Sequence, residues 1–200
     1  MMERTVQILS YETVHKGFYP KSVLRLRHSL FRGGLSAEVS RDVLELGAAS
    51  VVLPYDPRTD SILLVEQFRI APYLMDEEPW LLEAIAGRAE DGEAADVAAA
   101  REAREEANIE LTALARAGIG YPSPGGLKEL TTIFVGCCNL AGVDGGVHGA
   151  ADESEDIRVR VIAVDEALAM AASGTLRALS ALVALYWLAL HRADLRRRWA

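Results

Sequence analysis

The run from Gly87 to Ile109 constrains the fold of this chain more than any other stretch. Its later part is rich in alanine, the residue with the highest helix propensity, and it predicts a helix over about 94–107. Residues three and four positions apart share one helix face, so Glu102, Glu105 and Glu106 should project together. Neighbouring carboxylates repel one another unless a cation lies among them, and carboxylate oxygens are the ligands that hard cations such as Mg²⁺ and Mn²⁺ prefer. The run therefore predicts a metal site on a helix, of the kind that serves phosphoryl chemistry.

The spacing of charges in this run resembles the signature of the Nudix hydrolase family. The signature positions fall on Gly87, Glu93, Arg101, Glu102, Ala103, Glu105, Glu106, Asn108 and Ile109. Asn108 departs from the family, which has glycine there. Asparagine is the next most tolerant residue of the left-handed conformation, so we expect Asn108 to end the helix in the same way. The alternative is a solvated helix face that carries ordinary Glu–Arg pairs.

The resemblance implies a set of metal ligands. They are the carboxylates of Glu102, Glu105 and Glu106 and the backbone carbonyl of the residue before the signature glycine, Ala86. The expected ion is Mg²⁺, with Mn²⁺ as the alternative, and it would neutralise phosphate oxygens and make bound water more acidic. From spacing alone, Arg101 can pair with Glu105 four positions on, and its guanidinium can reach back to Glu93. We assign Arg101 and Glu93 an orienting role.

The attacking water needs a base, which in many members of the family lies on a later loop. The acidic run 152–156 follows a glycine-rich stretch, 141–151, that can fold over a substrate. By resemblance Glu153 is the expected base and Glu155 an additional metal ligand, although the two roles are exchangeable. The alternative is a solvated acidic turn, in which case the base would be Glu105.

The resemblance narrows to the ADP-ribose pyrophosphatase subfamily over most of the chain. The matching stretches are 51–57, 65–69, 79–83, 123–126 and 155–159. In that subfamily a proline at the position of Pro124 is associated with ADP-ribose specificity. The implied activity is metal-dependent hydrolysis of ADP-ribose to AMP and ribose 5-phosphate. The alternatives are a Nudix hydrolase of another nucleoside diphosphate sugar such as GDP-mannose, and a non-hydrolytic ADP-ribose sensor. The retained glutamates and the lack of a basic helix-turn-helix extension disfavour the sensor.

The substrate also needs residues that bind its base, sugars and phosphates. An adenine ring requires an aromatic face, and phosphates favour arginine. The candidates are Phe18, Tyr19, Arg41, Arg69, Pro124 and Glu129. The two aromatic residues are expected to stack on the base and the two arginines to contact phosphate or ribose. For each candidate, an ordinary packing or surface role is the alternative.

Periodicity divides the chain into two expected domains, 1–46 and 47–200. In the first, residues 23–28 alternate apolar and basic side chains, Gly33-Gly34 suits a hairpin turn, and 36–44 can return as a strand. Such a sheet is too thin to bury a core alone, so the main domain or a second subunit must cover it. The resemblance implies a homodimer that exchanges these N-terminal sheets and uses them to bind substrate.

The second domain mixes strands with helices and lacks a regular βαβ repeat. Buried strands are expected at 49–53 and 61–69, and helices at 165–173 and 176–192. This pattern predicts an α+β fold in which helices cover a mixed sheet. The resemblance implies the same arrangement, the Nudix α/β/α sandwich.

Composition excludes several other classes of protein. The net charge of −8 disfavours nonspecific binding to nucleic acid or to an anionic membrane. The apolar run 178–190 is too short for a membrane span, and residues 1–17 lack the apolar segment of a signal peptide. The 2 cysteines are adjacent, which argues against a disulfide framework and predicts a cytoplasmic location. The four histidines show no spacing typical of zinc ligands.

Overall fold

The structure, a computed structural model, describes residues 4–143, 145–149 and 155–199 and contains two compact units. The first unit comprises the described residues up to Gly47 together with Tyr121–Leu130. The second comprises Ala48–Gly120 and the described residues from Thr131 onward. The sequence did not indicate that Tyr121–Leu130 belongs with the N-terminal residues. The functional domains 1–46 and 47–200 stay a prediction.

The first unit is built on an antiparallel sheet. Strand β1 (Val6–His15) pairs with β2 (Lys21–His28), and β2 pairs with the first part of β3 (Val39–Asp56). Gly33 and Gly34 both have positive φ, 90° and 76°, and the Leu30 N–H donates to the Gly34 carbonyl at 2.9 Å. The predicted Gly-Gly turn is therefore confirmed. Strand β1 was not predicted, because its side chains are exposed on both faces and show no clear alternation.

The second unit contains the rest of β3 and seven further strands. They are β4 (Ser61–Phe68), β5 (Trp80–Glu83), β6 (Ile85–Arg88), β7 (Ala113–Gly120), β8 (Leu127–Cys137, which begins in the first unit), β9 (Val147–His148) and β10 (Ile157–Ala163). Strand β4 lies between β3 and β10 and also pairs with β5, while β3 pairs with β6 and β8, β7 with β8, and β9 with β10. The helices are α1 (Ile70–Tyr73), α2 (Ala95–Ala107), α3 (Val164–Ser173) and α4 (Leu179–Trp199). Among the described residues, no helix is long and apolar enough to cross a bilayer.

Alternation along the central strands divides the core of the second unit into two layers. Leu63 and Val65 of β4 pack in a cluster with α2, whereas Ile62 and Leu64 pack in a cluster with α3 and α4. Successive strand residues point to opposite faces, so one strand supplies both layers. We call these faces the α2 face and the α3–α4 face. The predicted α/β/α sandwich is confirmed.

Helix α4 extends beyond the end expected at residue 192. Its last turns are rich in arginine, which weakens the apolar pattern there. Leu195 is nevertheless buried in the same core cluster as α3, and ion pairs add to its packing. Arg192 donates through Nε to both carboxylate oxygens of Asp60, at 2.9 and 3.0 Å, and Arg196 donates to Asp60 at 3.1 Å. The Tyr55 hydroxyl donates to the same carboxylate at 2.8 Å. Asp60 therefore links the turn before β4 to the end of α4.

Candidate active site

Helix α2 ends as its sequence predicts. Asn108 has φ 50° and ψ 41°, the left-handed conformation expected where the family has glycine. The Asn108 N–H donates to the Arg104 carbonyl at 2.9 Å, and the Ile109 N–H donates to the Ala103 carbonyl at 3.2 Å. These two bonds satisfy carbonyls that the helix end would leave free. They also turn Ile109 into the core, where it is 4% exposed.

Arg101 holds three carboxylates around one guanidinium. Nε and Nη2 donate to the two oxygens of Glu93, each at 3.1 Å. Nη1 donates to Glu102 at 2.8 Å and to Glu105 at 2.9 Å, and Nη2 also donates to the Arg88 carbonyl at 3.0 Å. The pairs with Glu93 and Glu105 are those that the spacing predicted. Hydrogen bonding to Glu93, together with its other carboxylate neighbours, raises the pKa of Arg101.

Glu106 is a buried acid with a free oxygen. The residue is 3% exposed, and its Oε2 has no hydrogen-bond partner among the described residues. Burial, followed by the charges of Glu102 and Glu155, raises the pKa of Glu106 to about 9, against a smaller opposing effect of Arg69. A buried ionised carboxylate without a partner is costly, and a cation is the group that would relieve this cost.

Gly87 leaves room for the carboxylate of Glu102. A Cβ atom on Gly87 would lie 1.8 Å from Oε1 of Glu102, so any other residue would displace that side chain. Burial raises the pKa of Glu102, and the neighbouring Arg101 opposes this shift. Ala86 precedes Gly87 on β6 and pairs with Val51 of β3. The signature glycine is thus explained by the close approach of helix α2 to strand β6.

Glu155 belongs with the carboxylates of α2. It is half-buried just before β10, and its charge raises the pKa of both Glu102 and Glu106. The acid expected to be the base, Glu153, lies outside the described residues. Within the described ranges, no three His, Cys, Asp or Glu side chains form a ready-made ligand cluster. Instead, Arg101 forms ion pairs with Glu105 and with one oxygen of Glu102. The side chain of Glu105 is 50% exposed.

Arg69 and Glu83 form an ion pair beside these carboxylates. Nε and Nη2 of Arg69 both lie 2.8 Å from Oε2 of Glu83. The charges of both residues act on Glu106, since Arg69 lowers its pKa and Glu83 raises it. Arg69 was a substrate-binding candidate, but sequence reasoning did not single out Glu83. The pair joins two strands, and no local spacing signals it.

The other substrate-binding candidates lie in the first unit. Phe18 and Tyr19 contact each other edge to face with ring centroids 4.7 Å apart, and they are 79% and 45% exposed. Arg41 is exposed on β3, Pro124 is exposed in the turn before β8, and Glu129 is half-buried on β8. Exposed aromatic and arginine side chains are available to a ligand, and their binding role stays a prediction.

The class of this protein follows from helix α2 and its surroundings. The left-handed end of the helix, its contact with Gly87 and the carboxylates held by Arg101 all follow the Nudix signature. The helix packs on the sheet of an α/β/α sandwich. A sequence profile described as the NUDIX domain matches residues 45–182. The chain belongs to the Nudix family.

The chain is similar to named relatives over nearly its whole length. It is 42% identical over 195 residues to an ADP-ribose pyrophosphatase of Escherichia coli (strain K12), covering 98% of this chain and 93% of the relative. It is 39% identical over 200 residues to an ADP-ribose pyrophosphatase of Haemophilus influenzae, covering 98% and 92%. A GDP-mannose pyrophosphatase of Salmonella arizonae is 32% identical over 150 residues, covering 73% and 75%.

A solved structure supports the fold. A crystal structure of an ADP compounds hydrolase superposes with a TM-score of 0.70, covering 96% of this chain and 95% of that one. Because the two sequences are 17% identical, this likeness concerns the fold alone.

Proposed function

We propose that this protein is an ADP-ribose diphosphatase, which hydrolyses the pyrophosphate of ADP-ribose to AMP and ribose 5-phosphate. The observation that carries the proposal is the free, buried Oε2 of Glu106 next to the charges of Glu102 and Glu155. Buried carboxylates of this kind suit a divalent cation and an anionic substrate. The ADP-ribose pyrophosphatase relatives, at 42% and 39% identity, support this substrate over other nucleoside diphosphate sugars.

Glu102, Glu106 and Glu155 are the residues that would hold the ion, with Glu105 and the Ala86 carbonyl as further candidates. The proposed ion is Mg²⁺, with Mn²⁺ as the alternative. When bound, it would neutralise pyrophosphate oxygens and make a bound water more acidic. Arg101 orients the carboxylates, because its guanidinium fixes Glu93, Glu102 and Glu105 at hydrogen-bond distance.

Glu153 is the proposed base that takes the proton from the attacking water, and Glu155 is proposed to bind the metal ion. A base acts in the chemical step, so Glu153→Gln should lower kcat much more than it raises KM. Glu155→Gln should instead raise the Mg²⁺ concentration that gives half-maximal rate. Paired Mg²⁺ titrations separate the two roles. If added Mg²⁺ rescues Glu153→Gln but not Glu155→Gln, the roles are exchanged, and if both variants keep full activity the proposed base becomes Glu105.

The N-terminal residues are proposed to bind the adenosine part of the substrate and to form a homodimer with exchanged sheets. The proposed contacts are Phe18, Tyr19, Arg41, Pro124 and Glu129, with Arg69 on a phosphate. All ten residues of β1 are exposed, with apolar side chains among them, and this supports a covering partner. A cytoplasmic location stays a prediction, in keeping with two buried cysteines that form no disulfide.

Hydrolysis of GDP-mannose is the second candidate, since a named relative at 32% identity is a GDP-mannose pyrophosphatase. A panel of nucleoside diphosphate sugars, assayed with Mg²⁺ and analysed for products, separates the two activities. We expect ADP-ribose to have the highest kcat/KM and to yield AMP and ribose 5-phosphate. Binding of ADP-ribose without turnover would instead indicate a sensor.

Glu106→Gln tests the metal site, because it keeps the side-chain volume and removes one charge. We expect a loss of about 10³-fold or more in kcat, since charge neutralisation and water activation fail together. The control is Glu110→Gln, an exposed acid that pairs with Arg104 at the end of the same helix. Wild-type rates for Glu106→Gln at saturating Mg²⁺ would show that the metal assignment is wrong.

A further inference from the structure

The Arg69–Glu83 pair is held firmly at the ends of two neighbouring strands. Arg69 follows β4, Glu83 ends β5, and the strands pair from Val65 opposite Glu83 to Phe68 opposite Trp80. The backbone N–H of Arg69 donates to the Pro79 carbonyl at 2.8 Å, which fixes the start of the side chain. The guanidinium then reaches back along β4 to Glu83. Its direction is therefore set at both the backbone and the carboxylate.

Glu83 occupies one edge of the guanidinium and leaves the other edge open. Oε2 of Glu83 accepts a hydrogen bond from Nε of Arg69 at 2.8 Å and forms an ion pair with Nη2, also at 2.8 Å. The Glu83 side chain is 17% exposed. The Arg69 side chain is 44% exposed, and its Nη1 has no hydrogen bond to any described residue. The open edge of Arg69 can therefore donate to a ligand without breaking the pair.

Strand register places the pair on the α2 face, where the carboxylates lie. Glu83 is opposite Val65, which packs in the cluster with α2. Arg69 lies four positions after Val65, an even number, so its side chain lies on the same face of the sheet. The effects of both charges on Glu106 agree with this placement. Without Glu83, the Arg69 guanidinium would be free to bind Oε2 of Glu106 and would occupy the place of a metal ion. The Glu83 carboxylate opposes that movement.

We propose that Glu83 is a positioning residue that directs the open edge of Arg69 toward the substrate pyrophosphate and keeps its guanidinium off Glu106. This inference rests on the proposed function, in which Arg69 contacts a phosphate. Glu83 acts through Arg69 and does not itself touch the substrate. Loss of Glu83 should thus weaken substrate binding more than it slows the chemical step.

The same strand offers a matched control on its other face. Glu66 of β4 accepts from Nε of Arg158 at 2.8 Å, and its side chain is 18% exposed. Glu66 is opposite Leu82, which packs against the α3–α4 cluster, so this pair faces away from the α2 carboxylates. Glu66→Gln breaks an ion pair of similar burial on the same strand, and we expect it to leave KM and kcat within about twofold of the wild type.

The experiment measures KM, kcat and the Mg²⁺ requirement for ADP-ribose in the wild type, Glu83→Gln, Arg69→Ala and the double variant. We expect Glu83→Gln to raise KM about tenfold with kcat within about threefold, and Glu83→Asp to recover part of the loss. In the Arg69→Ala background, Glu83→Gln should change KM by less than about twofold.

Three results would overturn the inference. One is an unchanged KM in Glu83→Gln, and another is an equal KM loss in Glu66→Gln, which would indicate a general effect on the sheet. The third is a Glu83→Gln effect of full size in the Arg69→Ala background, which would indicate that Glu83 binds the metal ion directly. Failure of the proposed function is a separate outcome, because it would appear as absent ADP-ribose hydrolysis in the wild type.

Discussion

At the scale of single residues, the candidate site combines local features, which the sequence predicts, with features that depend on tertiary packing, which it does not. The left-handed end of α2 at Asn108 and the pairs of Arg101 are local, so residue spacing predicts them. The burial of Glu106 and the Arg69–Glu83 pair depend on the packing of separate strands and helices, and no local pattern specifies them. The sequence therefore predicts which carboxylates form the candidate site but not how their charges are balanced.

The raised pKa of Glu106 makes the metal-free protein sensitive to pH. The pKa is 4.5 in an ordinary glutamate and about 9 in the folded protein. Between these values the unfolded chain loses the proton while the folded chain keeps it, so Glu106 lowers stability as pH rises. We expect Glu106→Gln in a chelator to melt at a higher temperature than the wild type at pH 8, with the difference shrinking toward pH 5. Melting curves of Glu110→Gln serve as the control, and a constant difference across pH would contradict the shift.

Gly87 provides a test of the space next to Glu102. Gly87→Ala places a Cβ where Oε1 now lies, so Glu102 must move, and we expect kcat/KM for ADP-ribose to fall about 100-fold or more. Gly118→Ala is the control, since a Cβ there has no neighbour within 4 Å. Equal activity of the two variants would mean that the position of Glu102 does not matter for turnover.

At the scale of elements, prediction succeeded where burial produces a pattern. The buried parts of β3 and β4 and helix α2 follow their apolar or alanine-rich sequences, and all were expected. Strand β1 was missed because its ten residues are exposed. The end of α4 was missed because charged side chains surround Leu195, the one residue after 192 that is buried among those described. Apolar periodicity arises where a helix or strand packs against the core. An element with few core contacts, such as β1, therefore has no periodic pattern that would predict it.

Asp60 provides a test of how the end of α4 is anchored. Asp60 has φ 57°, which asparagine also tolerates, so Asp60→Asn removes the charge without straining the backbone. We expect a loss of about 2 kcal/mol in the free energy of unfolding, measured with urea at pH 7. Hydrogen bonding from Arg192 lowers the pKa of Asp60, so the loss should diminish as the pH falls below about 4.

Asp76→Asn is the control for this substitution. Asp76 also has φ 57° but forms no ion pair with a described residue. A similar loss of stability in both variants would assign the effect to the backbone conformation rather than to the contacts with α4.

At the scale of the whole molecule, the exposure of apolar side chains differs between the two units of the chain. The second unit holds two buried apolar clusters that pack on the α2 face and the α3–α4 face. In the first unit, β1 exposes Val6, Ile8, Leu9, Tyr11 and Val14, each about half or more accessible. An edge strand with exposed apolar side chains favours association with another chain.

The proposed homodimer leads to a test on β1. Replacing Ile8 and Leu9 together with arginine adds two charges to this exposed apolar strand, and we expect the variant to be monomeric by size-exclusion chromatography with light scattering. Its KM for ADP-ribose should rise if the exchanged sheet binds substrate. Gln7→Arg adds a charge at a neighbouring exposed position and should stay dimeric. A dimeric, fully active double variant would contradict a role of β1 in assembly.

Strand β4 also limits where the chain can change in length. A single residue inserted or deleted within 61–68 would move every later side chain of the strand to the opposite face of the sheet. Val65 would then leave α2, and Arg69 would point away from Glu106, although composition and hydrophobicity would hardly change. Length variation and engineered insertions should therefore be tolerated in the mostly exposed segment 70–79 and be excluded from β4 itself.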